Sequence, residues 1–273
     1  MTGSDRPWEA GSEPERWAGY FDPATGLLRN LSAPPVSTPA QLEQFENSHV
    51  EYRLIGLRAE PVAGSYDLEH VQAIHRELFR DVYPWAGELR TVGISKGVRD
   101  LPDGAQAKAG FLPVEHIPFV VNGMADQLRQ ENYLRGLSNE EFADRLAGHF
   151  NDLNEAHPFR DGNGRTQRAL WDQLAAEAGH TIHWQAIPND VNIRISHEAR
   201  VNNNLDPLRS TLRAIVTDDG LMARTVKSYE ASRLAGIDTP TRPGAGSAGT
   251  SANPAPSAGY RSPGFDAGRG YGR

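Results

Sequence analysis

Twelve consecutive residues, His157-Pro158-Phe159-Arg160-Asp161-Gly162-Asn163-Gly164-Arg165-Thr166-Gln167-Arg168, gather several chemically capable side chains into one short stretch. A neutral imidazole, with a reference pKa of ~6.5, can take a proton from an attacking hydroxyl near physiological pH. His157 is therefore the candidate general base, a role typically worth roughly 10²–10⁴-fold in rate. Gly162-Asn163-Gly164 leads directly into a helical pattern, and a helix N-terminus offers an anion unpaired N–H groups and the positive end of its dipole. The two glycines let the main chain approach a phosphate closely. Arg165 and Arg168, three apart, project from the first turn as further phosphate clamps. Asp161 would repel phosphate on its own, but Mg²⁺ binds a carboxylate and phosphate oxygens together and resolves the conflict. Phe159 reads as the anchor that buries the loop. Asn163 is placed to orient either His157 or the phosphates, and spacing does not choose between them.

Helices must hold this loop at both ends. Ser138 and Glu141 form a capping box ahead of the stripe Phe142, Leu146, His149, Phe150 and Leu153, so one helix runs up to His157. A second is predicted over Thr166–Glu177, closed by Gly179. Helical spacing also marks a segment opened by Thr38 and Pro39 and running through Arg53, then Leu68 to about Asp81, Pro118–Asn132 and Pro207–Val216. Strand signals are confined to Leu89–Ser95 and Phe111–Val114, on either side of the turn-rich Lys96–Gly110. The expected fold is mainly α, a helical bundle with one small β-hairpin flap. His75 and Trp85 read as scaffold.

The 273 residues suffice for one full-sized domain with appendages. Residues 1–37 are expected to form an N-terminal extension, with Trp17, Tyr20, Phe21, Leu27 and Leu28 packing it as an extended strap. Residues 38–232 form the catalytic domain. Residues 233–273, rich in Gly, Ala, Ser and Pro, are expected to be a disordered tail. A formal net charge of −7 supplies no basic field for a phosphate backbone, so direct nucleic-acid binding is not expected. The absence of cysteine excludes disulfides, thiolate catalysis and cysteine-ligated zinc. Without a signal-like apolar segment or a run of membrane-spanning length, no membrane is expected and the location is cytoplasmic, with secretion into a host cell left open. Gly97 to Lys108 lacks Gly-Lys-(Ser/Thr), which rules out a P-loop, and there is no His-Glu-x-x-His zinc pair.

The twelve residues resemble the signature of the Fic family, His-x-Phe-x-(Asp/Glu)-Gly-Asn-Gly-Arg-x-x-Arg, and match it at every specified position. Tyr66–His70, Ile74–Phe79 and Tyr83–Arg90 are similar to the stretch preceding that family's flap, and Thr25–Asn30 to the start of its short bacterial members. The resemblance runs from about Tyr20 to Val216 and implies a Fic fold with protein adenylyltransferase activity. It implies His157 as base, Asp161 as Mg²⁺ ligand, Gly162, Asn163 and Gly164 as an anion hole, and Arg165 and Arg168 on the phosphates of ATP. A Ser, Thr or Tyr hydroxyl of a target protein would attack the α-phosphate and release pyrophosphate. The flap, about Leu89–Val114, would register that target as an extended segment by main-chain pairing. The related Doc kinases carry Lys where Gly164 stands, so AMP transfer is favoured here. Transfer of UMP, phosphocholine or phosphate, and a catalytically silent binding module, are the alternatives.

Many Fic proteins are held off by a helix carrying (Ser/Thr)-x-x-x-Glu-(Gly/Asn), whose glutamate pairs with the second motif arginine, Arg168 in this chain. Only Ser65 to Glu69 fits the first part of that pattern, and His70 follows it. The resemblance therefore implies a toxin-like protein without its own inhibitory helix, restrained by a separate small antitoxin.

Overall fold

The computed structural model describes residues 6–97 and 108–218. The tail expected from residue 233, the last part of the expected catalytic domain and most of the turn-rich stretch inside the flap lie outside the described residues.

The mainly α expectation holds. Helix α5 (Asn139–Ala156) is the central element, packed against α4 (Ile117–Gln130), α6 (Asn163–Ala178), α7 (Asn189–Val201) and α8 (Asp206–Ile215). Its capping box forms as read: the Glu141 N–H donates to Ser138 Oγ at 3.3 Å, and Glu141 Oε2 accepts from the Ser138 N–H at 3.1 Å. Its stripe, Phe142, Leu146, His149, Phe150 and Leu153, is buried. Helix α3 (Leu68–Phe79), capped by the Asp67 carboxylate, lies between α2 (Pro39–Ala59) and α6. Val71, Ile74, Leu78 and Phe79 of α3 join Leu170, Trp171 and Leu174 of α6 in one core. Each large apolar side chain so buried contributes about 1.5–3 kcal/mol.

Several boundaries differ from the sequence expectation. Helix α2 continues from Arg53 to Ala59, because Leu54, Leu57, Arg58 and Ala59 favour helix and Gly56 costs only about 1 kcal/mol before Pro61 ends the run. Helix α6 starts at Asn163, three residues before Thr166, with Gly162 as its N-cap. Helix α7 was not expected. Its buried stripe is short, Ile195, His197 and Ala199, and packing on α5 and α8 supplies what local pattern does not.

The flap strands also move. Strand β1 (Ser95–Gly97) pairs antiparallel with β2 (Lys108–Gly110), Ser95 opposite Gly110, in the segment read as turn. The alternation read as strands at Leu89–Ser95 and Phe111–Val114 instead marks two stems packed on the body of the protein. Below the ladder the Arg90 N–H donates to Pro158 O at 2.9 Å and the Leu112 N–H to Glu155 O at 3.2 Å. A second two-stranded sheet, β3 (His180–Ile182) with β4 (Val216–Asp218), corrects the expectation of one hairpin; three-residue strands are too short for alternation to be legible.

The N-terminal segment is a helix and a turn rather than an extended strap. Helix α1 (Glu13–Gly19) has a capping box from Ser12 and Glu15, and Phe21 makes an isolated bridge with Leu28. Trp8 and Tyr20 are buried, stacked at 6.1 Å, and Tyr20 meets the edge of Trp85 at 5.7 Å. Glu13 accepts from the Gly93 N–H at 2.8 Å and Arg16 Nε donates to Thr91 O at 3.1 Å, so this segment holds the first stem of the flap. Trp8→Ala and Tyr20→Ala are each expected to cost about 3–5 kcal/mol in urea unfolding. A loss below about 0.5 kcal/mol would mark the segment as a detachable appendage.

Candidate active site

Two helix ends of opposite polarity meet at the motif. Helix α5 stops at Ala156, and His157 takes a left-handed conformation (φ 41°, ψ 61°) whose N–H still donates to Leu153 O at 3.0 Å. A side chain pays for that conformation, and surrounding contacts must hold it. Arg90 does so. It is 2% exposed, and its guanidinium donates to His157 O at 2.9 Å, Ala156 O at 3.3 Å, Val92 O at 2.9 Å and Leu112 O. Burial lowers its pKa to about 10, so it is still a cation at neutral pH, seated where the α5 dipole is negative. The His157 ring stacks on Phe111 of the second flap stem, with centroids 3.7 Å apart and planes 14° from parallel. Arg200 of α7 lies 4.4 Å from the Phe111 centroid and donates to Gly110 O at 2.8 Å.

Beyond His157 the loop turns inward. Phe159 is fully buried and stacks on His75 at 3.8 Å, as an anchor should. Asn163 bonds neither His157 nor a position open to phosphate. Its Oδ1 accepts from the Phe159 N–H at 2.9 Å and its Nδ2 donates to Phe159 O at 2.7 Å, so its side chain ties the loop to itself. Gly162 sits at φ 80°, and a Cβ there would stand 2.5 Å from Phe79 ring atoms and 3.2 Å from His75 Nε2. No other residue fits.

His75 lies beneath this turn. Its Nδ1 accepts from the Gly87 N–H at 2.7 Å, which leaves Nε2 protonated and donating to Asp161 O at 3.1 Å. Complete burial drives its pKa down to about 3. Arg160, at an unspecified position of the motif, is buried with its guanidinium 4.4 Å from the Trp17 ring, 5.3 Å from Phe21 and 5.9 Å from Tyr20. The aromatic residues of the N-terminal segment therefore clamp the loop from outside.

On the α6 side, the first intrahelical bond runs from the Thr166 N–H to Gly162 O at 3.0 Å, so the N–H groups of Asn163, Gly164 and Arg165 precede the ladder. Gly164 is exposed, and a Cβ on it would lie 3.6 Å from Arg168 Nη1, which puts Arg168 alongside. Arg165 Nη2 meets Glu46 Oε1 at 2.5 Å and Asp161 Oδ1 at 3.4 Å, the guanidinium lies 4.8 Å from the Phe79 centroid, and among the described residues Nη1 is buried without a hydrogen-bond partner. The Asp161 side chain is 32% exposed, its Oδ1 also accepting from the Gly162 N–H at 2.6 Å. Among the described residues no cluster of three or more His, Asp or Glu could hold a metal, so a cation here would rest on Asp161 and on groups the ligand brings.

Sequence reasoning missed Glu46, Arg90, Phe111 and Arg160. Glu46 carried one signal: with Leu42 and Val50 it occupies the buried stripe of α2, where an unpaired carboxylate would not be tolerated. The glutamate the inhibitory pattern returned, Glu69, is exposed in the first turn of α3. No helix among the described residues is long and apolar enough to cross a membrane.

Comparison with known proteins adds to this geometry. The model of the Fic/DOC family matches residues 65–175. The chain is 34% identical over 213 residues to "Protein adenylyltransferase VbhT" of Bartonella schoenbuchensis, covering 78% of this chain but only 41% of that protein. It is 30% identical over 201 residues to "Probable protein adenylyltransferase Fic" of Escherichia coli (strain K12), covering 74% and 93%. A crystal structure of BepC, a VirB-translocated effector from Bartonella tribocorum with bound AMPPNP, aligns with a TM-score of 0.64 at 28% identity, covering 74% of this chain and 97% of that one. The helical bundle with its flap is the fold of those domains.

Two outcomes follow from how the loop is held. Gly162→Ala is expected to cost at least about 2 kcal/mol, from a left-handed residue and a clash with Phe79, read by urea unfolding. His75 binds a proton in the unfolded chain near pH 6.5 but in the folded chain only near 3. Unfolding therefore takes up a proton between these values, so this stabilisation is fully present above pH 6.5 and falls as pH drops through the window. The slope from this one residue reaches ~1.4 kcal/mol per pH unit and should vanish in His75→Gln.

Proposed function

Because the chain belongs to the Fic/DOC family, we propose that it is a protein adenylyltransferase, moving AMP from ATP to a Ser, Thr or Tyr hydroxyl of a target protein. The observation that carries this reading is the arrangement around one loop: a braced imidazole, the open first turn of α6 and two arginines beside a single carboxylate. The adenylyltransferase names of its relatives and the AMPPNP in a structural neighbour support it.

In this reading the first-turn N–H groups of Asn163, Gly164 and Arg165 receive the α-phosphate oxygens, in place of the Gly162 N–H, which is spent on Asp161 Oδ1, while the Arg165 and Arg168 side chains hold the phosphates beyond. The side chain of Asn163 serves by fixing the loop. His157 takes the proton of the target hydroxyl as its oxygen bonds to the α-phosphorus, and the bond from that phosphorus to the bridging oxygen of pyrophosphate breaks. Asp161 fits as a magnesium carboxylate, since it stays partly exposed beside the anion site while Oδ1 is engaged by Gly162 and Arg165. Bound there, Mg²⁺ would neutralise phosphate charge and favour the departure of pyrophosphate. The exposed position of Gly164 leaves room for the α-phosphate and favours AMP over phosphate transfer.

The target segment is read as adding to the β1–β2 flap, whose stems share Arg90 with His157. The catalytic unit includes the N-terminal segment, because Trp17, Tyr20 and Phe21 pack on Arg160 of the motif. A separate small antitoxin that inserts a carboxylate against Arg168 is the proposed restraint, and the cytoplasm, of the producing cell or of a recipient, the place of action.

His157→Ala is expected to lower transfer at least about 10²-fold, scored by mass spectrometry of the AMP adduct, with the Kd for ATP within about twofold of wild type. A matching loss of ATP affinity would reject His157 as base. Asp161→Ala should abolish activity at every magnesium concentration.

A further inference from the structure

We propose that Glu46, paired with Arg165 and backed by the core residue Tyr83, is a positioning residue that fixes the guanidinium of Arg165 for phosphate binding; this rests on the reading of Arg165 as a phosphate ligand. Glu46 lies on α2, outside the matched residues 65–175 and outside the motif. It is 7% exposed, and burial raises its pKa while Arg165 and the Tyr83 hydroxyl act in the opposite direction. Its partner side chain is 11% exposed. A guanidinium this deep needs a counter-charge, because an unpaired buried cation is among the most destabilising groups a fold can carry.

The direction of support separates positioning from blockade. The Tyr83 hydroxyl faces Glu46, and Tyr83 is a core residue, 2% exposed, stacked on Trp85 at 4.3 Å and on Phe79 at 5.9 Å. Glu46 is thus backed from the core side of Arg165, not lodged in the mouth of the site. Two carboxylates share the Arg165 Nη2, Glu46 at 2.5 Å and Asp161 at 3.4 Å. If Asp161 turns to a cation, Arg165 keeps Glu46 and stays in place. An arginine otherwise loses rotamer entropy in any contact it makes, and a fixed fork avoids much of that loss on binding.

The test is a double-mutant cycle on ATP affinity by calorimetry, with transfer kinetics beside it, using the full chain. Glu46→Gln keeps the shape and removes the charge; it should raise the Kd for ATP about tenfold, within the range of coupled contact pairs. Tyr83→Phe, which removes one hydroxyl from an intact core, should shift Kd in the same direction by less and supplies the measurement if Glu46→Gln does not fold. Neither should change the rate at saturating ATP as much as KM. In an Arg165→Ala background Glu46→Gln should add nothing, because it acts only through that guanidinium. Tighter ATP binding or faster transfer in Glu46→Gln would show a competitor and overturn the proposal, as would a full additive loss on top of Arg165→Ala. Unchanged ATP binding in Arg165→Ala would overturn the phosphate reading of Arg165 itself, whereas a defect there with none in Glu46→Gln or Tyr83→Phe overturns the positioning role alone.

Discussion

Residues 157–162 must carry the chain from the carbonyl end of α5 to the N–H end of α6. Those ends have opposite polarity, about half an elementary charge each, and the loop has too few residues to shield one from the other. The structure answers asymmetrically. The negative end receives a buried cation, Arg90, whose donors are spent on main-chain carbonyls including those of Ala156 and His157. The positive end is left open, its first-turn N–H groups facing the position where an anion would sit. His75 spans the middle as a neutral residue, which suits a place between a carbonyl oxygen and an N–H group.

That asymmetry accounts for the buried charges of the site. Arg165 brings a second cation close to the open end, and its pairing with Glu46 and Asp161 keeps it tolerable in a dry setting. The pairings are unequal in burial. Glu46 is sealed behind the guanidinium, while Asp161 is partly exposed and able to serve an incoming cation. In the proposed reading one acid then stabilises the folded site and the other meets the ligand. A single acid doing both would leave a buried guanidinium unpaired whenever ligand bound.

The motif and the helices that flank it were legible because their signals are local. A capping box, an apolar stripe at helical spacing and a Gly-Asn-Gly turn each lie within a few residues, and Ser138–Leu153 and Gly162–Arg168 appear much as read. The missed residues act across distance. Glu46 meets Arg165 from 119 residues away, Arg90 reaches His157 across 67, and Trp17 meets Arg160 through a face that no short pattern records. Alternation at Leu89–Ser95 was real but misassigned, since period-two burial arises wherever an extended stem lies on a core, paired or not. Helix α7 and the β3–β4 pair were missed for a related reason: α5 and α8 supply the packing of the one, α6 and α5 that of the other, and their own residues do not announce it.

The flap and the catalytic loop share one frame, and this bears on how the protein can change targets. Both stems end on the α5 terminus, through Arg90 N–H to Pro158 O and Leu112 N–H to Glu155 O, and the Arg90 side chain bonds Val92, Leu112 and His157 at once. Phe111 then lies flat on the imidazole, backed by Arg200 from α7. A shift of either stem would therefore move the ring that is read as the base. Sequence change is cheapest beyond the Phe111 N–H to Ile94 O bond, where the described chain is strand-paired and Arg200 ties only the Gly110 main chain to α7. Target choice would thus be expected to vary in the outer flap, while the stems and their arginines are held by the geometry of the reaction.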